Sequence, residues 1–125
     1  EVFVHSPDRD GLFAAIVAHR AGKVVPLKPL WARNWAKFGT LSVDAALGDV
    51  LVFERPGGGG HVGFYVAEDD TAYHVLGGNQ GNRVSITRIA QARCIAHRRP
   101  VYSKAPASVV PRVVKASGAL SRNEA

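Results

Sequence analysis

The 125-residue chain has one cysteine, Cys94, so no disulfide can close within it and no zinc site can be built on paired thiolates. No apolar run approaches the roughly 18–20 residues of a membrane-spanning helix, which excludes a helical membrane span. Nowhere do basic residues alternate with aromatics, as they would on a surface that reads a nucleic-acid strand by stacking. The five histidines, His5, His19, His61, His74 and His97, lack the spacing of metal ligands, such as two His four apart on a helix with a Glu. No metal and no cofactor is therefore expected. No secretory signal opens the sequence at Glu1, as in a processed chain or the carboxyl part of a longer one.

What is present suits one globular domain. Hydrophobic residues make up 46% and charged residues 21%, too apolar a balance for a disordered chain. Sixteen Lys and Arg against ten Asp and Glu give a net charge of +6, which attracts anionic polymers in general. Part of the excess lies late, in "RCIAHRRPVYSK" (93–104).

Two segments carry a helical period. In "SPDRDGLFAAIVAHRAG", Ser6-Pro7 and the following acids mark a helix start, and Leu12, Phe13, Ile16 and Val17 recur at helical spacing up to a Gly22 cap. A helix is predicted over 8–21. In "PLWARNWAKFG", Trp31, Trp35 and Phe38 share a face and Gly39 is the stop, which predicts a second, shorter helix.

From Asp49 the period becomes that of strands: "VLVFE", "HVGFYVA", "AYHVLG", "RVSITRI" and "RCIAHRR", joined by "RPGGGG", "EDDT", "GNQGN" and "AQA". Links this short favour antiparallel neighbours. The expected fold is α+β, with N-terminal helices packed on a five-stranded antiparallel meander. The domain is expected over 1–100, with 101–125, which holds Pro106 and Pro111, as an extended tail or linker.

His61 opens the strand "HVGFYVA". Alternation places His61, Gly63 and Tyr65 on one face and Val62, Phe64 and Val66 on the other. Gly63 carries no side chain, leaving room for a ligand to approach His61, or for a bulge. Histidine is the commonest general base and also a frequent strand-end residue. Asp49 at a strand start reads as a turn former. "PGGGG" lacks the Lys-Ser/Thr and the helix of a phosphate loop, so it reads as a flexible hairpin. His74, on the face opposite Tyr73 and Val75, reads as a surface residue.

Taken together, "ARNWAKFG", "GDVLVFERPGGGGHVGFYV", "YHVLGGNQGNRVSI" and "CIAHRRP" resemble the papain-like bacterial cell-wall peptidases of the NlpC and CHAP group, over roughly residues 8–100. The resemblance implies a cysteine nucleophile at the start of the first helix, with His61 as its base, Asn79 as the residue orienting the imidazole, and Gly63 and Tyr65 toward substrate. A helix N-terminus and an imidazolium both lower a thiol pKa, which suits that chemistry. The chain departs from the pattern at the nucleophile: Leu12-Phe13-Ala14-Ala15 stands where the family has Trp-Cys-Ala-Ala, so Phe13 takes the cysteine's place. Cys94 falls where the family has an aliphatic residue and reads as a small buried side chain, while Ser6 reads as a helix cap.

The function expected from the resemblance is a catalytically degenerate cell-wall hydrolase domain. It would bind peptidoglycan or a protein partner in a larger assembly, in the periplasm, at the cell surface, in the secreted fraction or on a virion. Two alternatives stand beside it. One is an active peptidoglycan amidase or endopeptidase using His61 with a non-standard nucleophile, Ser6 or Cys94. The other is a basic module that binds anionic polymer.

Overall fold

The computed structural model describes residues 32–116 and 118–121. Within them, six strands form one antiparallel sheet: β1 (Thr40–Leu41), β2 (Val50–Glu54), β3 (Gly60–Glu68), β4 (Ala72–Gly77), β5 (Ser85–Ala90) and β6 (Cys94–Arg99). The spatial order is β1-β6-β2-β3-β4-β5. This corrects the expectation of N-terminal helices on a five-stranded meander. The helix predicted over 8–21 lies outside the described residues. The second predicted helix is a short 3-10 helix, Ala32–Lys37, followed among the described residues by only one further 3-10 turn, Gln91–Arg93. Trp35 and Phe38 do share a face, with ring centroids 5.1 Å apart, but the segment closes before it completes a regular α-helix.

The meander expectation holds from β2 to β5 and fails at β6, which pairs with β2 rather than with β5. In a flat sheet β5 and β6 would stand four strand spacings apart, about 19 Å. The link between them is the three residues Gln91–Arg93, whose Cα path spans at most about 14 Å even when fully extended. The sheet therefore rolls, bringing the start of β6 toward the end of β5. Two β-bulges help it curl. One falls at Val66, where Tyr65 faces Val75 but Ala67 faces His74, and the other at Ile95, where Val52 faces Ala96 but Phe53 faces Cys94.

Two apolar layers result. On the outer face the 3-10 helix lays Ala32 and Trp35 over Val50, Val52 and Val62. On the inner face Leu51, Phe53, Tyr65, Val75 and Ile89 meet, with Ala45, Tyr73 and Cys94 against them. β2 reads as a continuous apolar run because both of its faces are buried, as its Val50–Phe53 burial shows. The β2–β3 hairpin turns on Gly57, Gly58 and Gly59, all at positive φ, a conformation that explains the glycine run without a ligand.

Residues 101–116 and 118–121 form no named strand; they lie along the sheet as a strap. Leu47 N–H donates to the Val110 carbonyl at 3.2 Å, and Val114 N–H to the Glu68 carbonyl at 2.8 Å. Further on, Ser121 N–H donates to the Arg88 carbonyl at 2.8 Å. Among the described residues no helix is long and apolar enough to cross a membrane.

Candidate functional site

His61 pairs with Phe53, Gly63 with Leu51 and Val62 with Val52, so the alternation along β3 puts the imidazole on the inner face of the roll. Its surroundings are apolar and closed: the residue has 0% exposure, and the Phe53 ring stacks on it with centroids 6.3 Å apart. A polar ring in such a place must be hydrogen-bonded. His61 Nε2 lies 2.8 Å from Gln80 Oε1.

The direction of that bond follows from what surrounds the amide. Gln80 Nε2 faces the carbonyl oxygens of Val75 at 3.1 Å and Ser85 at 2.7 Å, which can only accept. It also lies 3.1 Å from Thr87 Oγ1 and 3.3 Å from Ser85 Oγ. The nitrogen must point there, so Oε1 points at the ring and His61 donates from Nε2. In the neutral ring the lone pair is then on Nδ1, the state in which an imidazole can take a proton at that atom.

Gln80, and not Asn79, thus orients the imidazole. Asn79 stands one residue earlier in left-handed backbone, with φ 58°, the turn role for which Asn is suited. The signal for Gln80 lay in Gly77: a Cβ there would come within 2.5 Å of Gln80 Oε1 and 3.3 Å of His61 Nε2, so the glycine makes room for the pair. Gly63 makes room of another kind. A Cβ at Gly63 would collide with Val75 Cγ1 and stand 3.0 Å from the Leu76 carbonyl oxygen, so the space is filled by β4 rather than left for a ligand. Tyr65 is also fully buried. Its hydroxyl donates to Glu68 Oε1 at 2.8 Å and accepts from Arg112 N–H at 2.9 Å, so it anchors the strap. Burial pushes its pKa above the usual tyrosine range.

Phe13 and Ser6 lie outside the described residues. Cys94 and His61 face opposite edges of Phe53, on strands either side of β2, which sets their Cα atoms about 10 Å apart. The thiol donates instead to the Ala96 carbonyl oxygen at 3.3 Å. Burial pushes it up to about 11, so it is a protonated packing group.

Two polar groups read from the sequence as a turn and a surface residue, Asp49 and His74, have defined partners, as does His97. Asp49, fully buried, accepts from Ala46 N–H at 2.9 Å as a turn residue should. It also holds Arg99 through Nε and Nη2, both at 3.0 Å. His74 is not a free surface residue: its Nε2 lies 2.7 Å from Asp69 Oδ2, which also binds Arg88 Nε at 2.9 Å. Arg88, with backbone donors from Thr71 and Ala72, holds the Asp69 carboxyl well below the usual range. His97 Nδ1 lies 2.7 Å from Ser42 Oγ, whose hydroxyl also reaches the His97 carbonyl oxygen at 3.0 Å. Among the described residues no three His, Cys, Asp or Glu side chains gather as metal ligands.

Compared with protein-family models, curated proteins and solved structures, the chain matches none of them.

Proposed function

We propose that this is a catalytically degenerate relative of the papain-like bacterial cell-wall peptidases, which binds peptidoglycan or serves as a structural module in a larger cell-wall or virion assembly. One observation carries the reading: a buried imidazole whose tautomer is dictated by a glutamine amide, itself held by two backbone carbonyls. Such a constraint is what a general base needs in order to keep its lone pair on one chosen nitrogen. The Gly-Gly-Asn-Gln turn that supports the family resemblance is also the turn that supplies Gln80.

The same resemblance places Phe13 where the nucleophile belongs. A phenyl ring cannot attack a carbonyl, and loss of a nucleophile removes several powers of ten of rate. The thiol of Cys94 does not take over, since it is held protonated by burial and bonded to Ala96.

The test is restoration. The unaltered protein is expected to bind insoluble peptidoglycan without cleaving it. A folded Phe13→Cys variant is expected to release fragments from peptidoglycan, and adding Gln80→Leu or His61→Ala is expected to abolish that release. A folded Phe13→Cys protein that hydrolyses nothing, or that hydrolyses equally well without His61, overturns the reading.

A further inference from the structure

Of the described residues in 101–121 none is buried: Tyr102, Val109 and Ser121 are half-buried, and the rest, Val110, Val113, Val114 and Leu120 among them, are exposed. Among the described residues, every hydrogen bond that ties 110–121 to the sheet is made by main-chain atoms of the strap. Leu47 N–H donates to the Val110 carbonyl, Arg112 N–H to Tyr65 Oη, Arg88 Nη1 to the Gly118 carbonyl and Arg93 Nη1 to the Ser121 carbonyl. A segment with few buried contacts and with its hydrogen bonds near solvent is the kind that opens while the rest of a domain stays folded.

The centre of the contact is a strand position. β2 begins at Val50, opposite Phe64, whereas β3 runs on to Glu68, so the last residues of β3 have β4 on one side and no β2 on the other. There the strap forms a parallel bridge with Val113 beside Glu68: Glu68 N–H donates to the Arg112 carbonyl and Val114 N–H to the Glu68 carbonyl, both at 2.8 Å. This is how an extended peptide joins an open sheet edge, held by main-chain bonds that any similar peptide could make. Charge narrows the choice. The strap carries Lys104, Arg112 and Lys115 and no acidic residue over 101–121, and it crosses the turn Glu68-Asp69-Asp70. Arg88 neutralises Asp69, which leaves Glu68 and Asp70. Asp70 and Lys115 line an open cleft between strap and turn without forming an ion pair, so the strap leaves part of that attraction unused.

We infer that the strap is a cis occupant of a peptide-docking edge: it lifts off as a unit, and an extended segment of a partner protein, basic and without acidic residues, takes its place beside Glu68. The incoming segment offers what the strap offers now, an N–H for Tyr65 Oη, a carbonyl for Glu68 N–H and, two residues on, an N–H for the Glu68 carbonyl. This inference stands apart from the His61 reading and survives its failure.

The probe is an unlabelled synthetic peptide, SVVPRVVK, the sequence of 108–115, with both ends capped. Saturating the full chain with it is expected to speed hydrogen exchange at the protein's own Arg112 and Val114 amides by at least about tenfold while the Glu68 amide stays protected, because the peptide displaces the strap and takes over its bonds. A Val114→Pro chain, which cannot donate to the Glu68 carbonyl in cis, is expected to bind the peptide at least about fivefold more tightly, since its edge is open for more of the time. The same peptide N-methylated at the positions of Arg112 and Val114 keeps every side chain but loses both donors, and is expected to bind at least about fivefold more weakly. With Glu in place of its Arg and Lys it is expected to lose at least about threefold, a difference that shrinks as salt is added. Should Val114→Pro not fold, the exchange signature of the unaltered chain decides. No binding, binding that leaves the Arg112 and Val114 amides unchanged, equal binding of the N-methylated or the Glu peptide, or no gain from a folded Val114→Pro chain each overturn the assignment. So do concentration-dependent dimers of the unaltered chain that Val114→Pro abolishes, which would make a second copy the occupant.

Discussion

Replacing Gln80 by leucine tests the central pair most directly. Leucine nearly matches the volume but neither accepts from His61 nor donates to Val75 and Ser85, so three buried polar groups lose a partner at once. Each buried group left unpaired costs about 1–3 kcal/mol, and the added apolar burial returns about 1–2 kcal/mol. The net loss is roughly 1–8 kcal/mol, which for a domain of this size lowers Tm by roughly 4 °C or more. Thermal unfolding by circular dichroism measures the loss, and imidazole nitrogen chemical shifts report which ring nitrogen carries the proton. The unaltered protein is expected to show the Nε2–H tautomer, and Gln80→Leu to show a mixture or the other form. The companion is Asn79→Gly, which removes the rival side chain while keeping the left-handed turn and should shift stability by no more than about 0.5 kcal/mol. A Gln80→Leu protein with unchanged tautomer and a Tm lowered by less than about 3 °C, or an Asn79→Gly change that costs more, refutes the assignment.

Two other expectations follow from the same geometry. Gly63→Ala drives a methyl into Val75 and against the Leu76 carbonyl oxygen; overpacking of this kind costs about 1–3 kcal/mol, read as a lower denaturant midpoint, and an unchanged midpoint contradicts the close approach of β3 and β4. The carboxyl of Asp69 is depressed by Arg88, so its contribution is complete above the unfolded value near 4 and is lost as pH falls below it. Lowering pH from about 5 to about 2 should therefore destabilise the unaltered protein more than Asp69→Asn, and parallel acid titrations of the two proteins would contradict the ion cluster.

The strands were legible because their signal is local. "VLVF" is apolar throughout because that part of β2 is buried on both faces, and "HVGFY" alternates because β3 has one face under the 3-10 helix and one in the roll. The pairing of β6 with β2 was not legible, since the choice between β2 and β5 as a neighbour depends on the curl of the whole sheet and not on any residue in "RCIAHRR". Trp31, Trp35 and Phe38 announced a helical period, but a period near three to four does not separate a 3-10 turn from an α-helix over so few residues. At the site, His61 stood out by its place at the head of a strand. Gln80 was masked by Asn79, whose side chain suits both a turn and an orienting role, and only the position of the Gln80 amide between Val75 and Ser85 separates the two. The pairings of His74 with Asp69 and of Arg99 with Asp49 join residues 5 and 50 positions apart, a separation that alternation cannot read.

The rolled sheet also dictates an order of assembly. Val50–Phe53 pairs with His61–Phe64 across a tight hairpin, but its other edge waits for Cys94–Arg99, made more than forty positions later. While the chain is still being synthesised, the most apolar strand of the domain therefore keeps one row of backbone donors and acceptors bare, the kind of edge that recruits foreign strands. Closure by the last strand is a long-range event and a slow one, so the vulnerable moment of this protein falls before residue 94 emerges rather than after folding is complete.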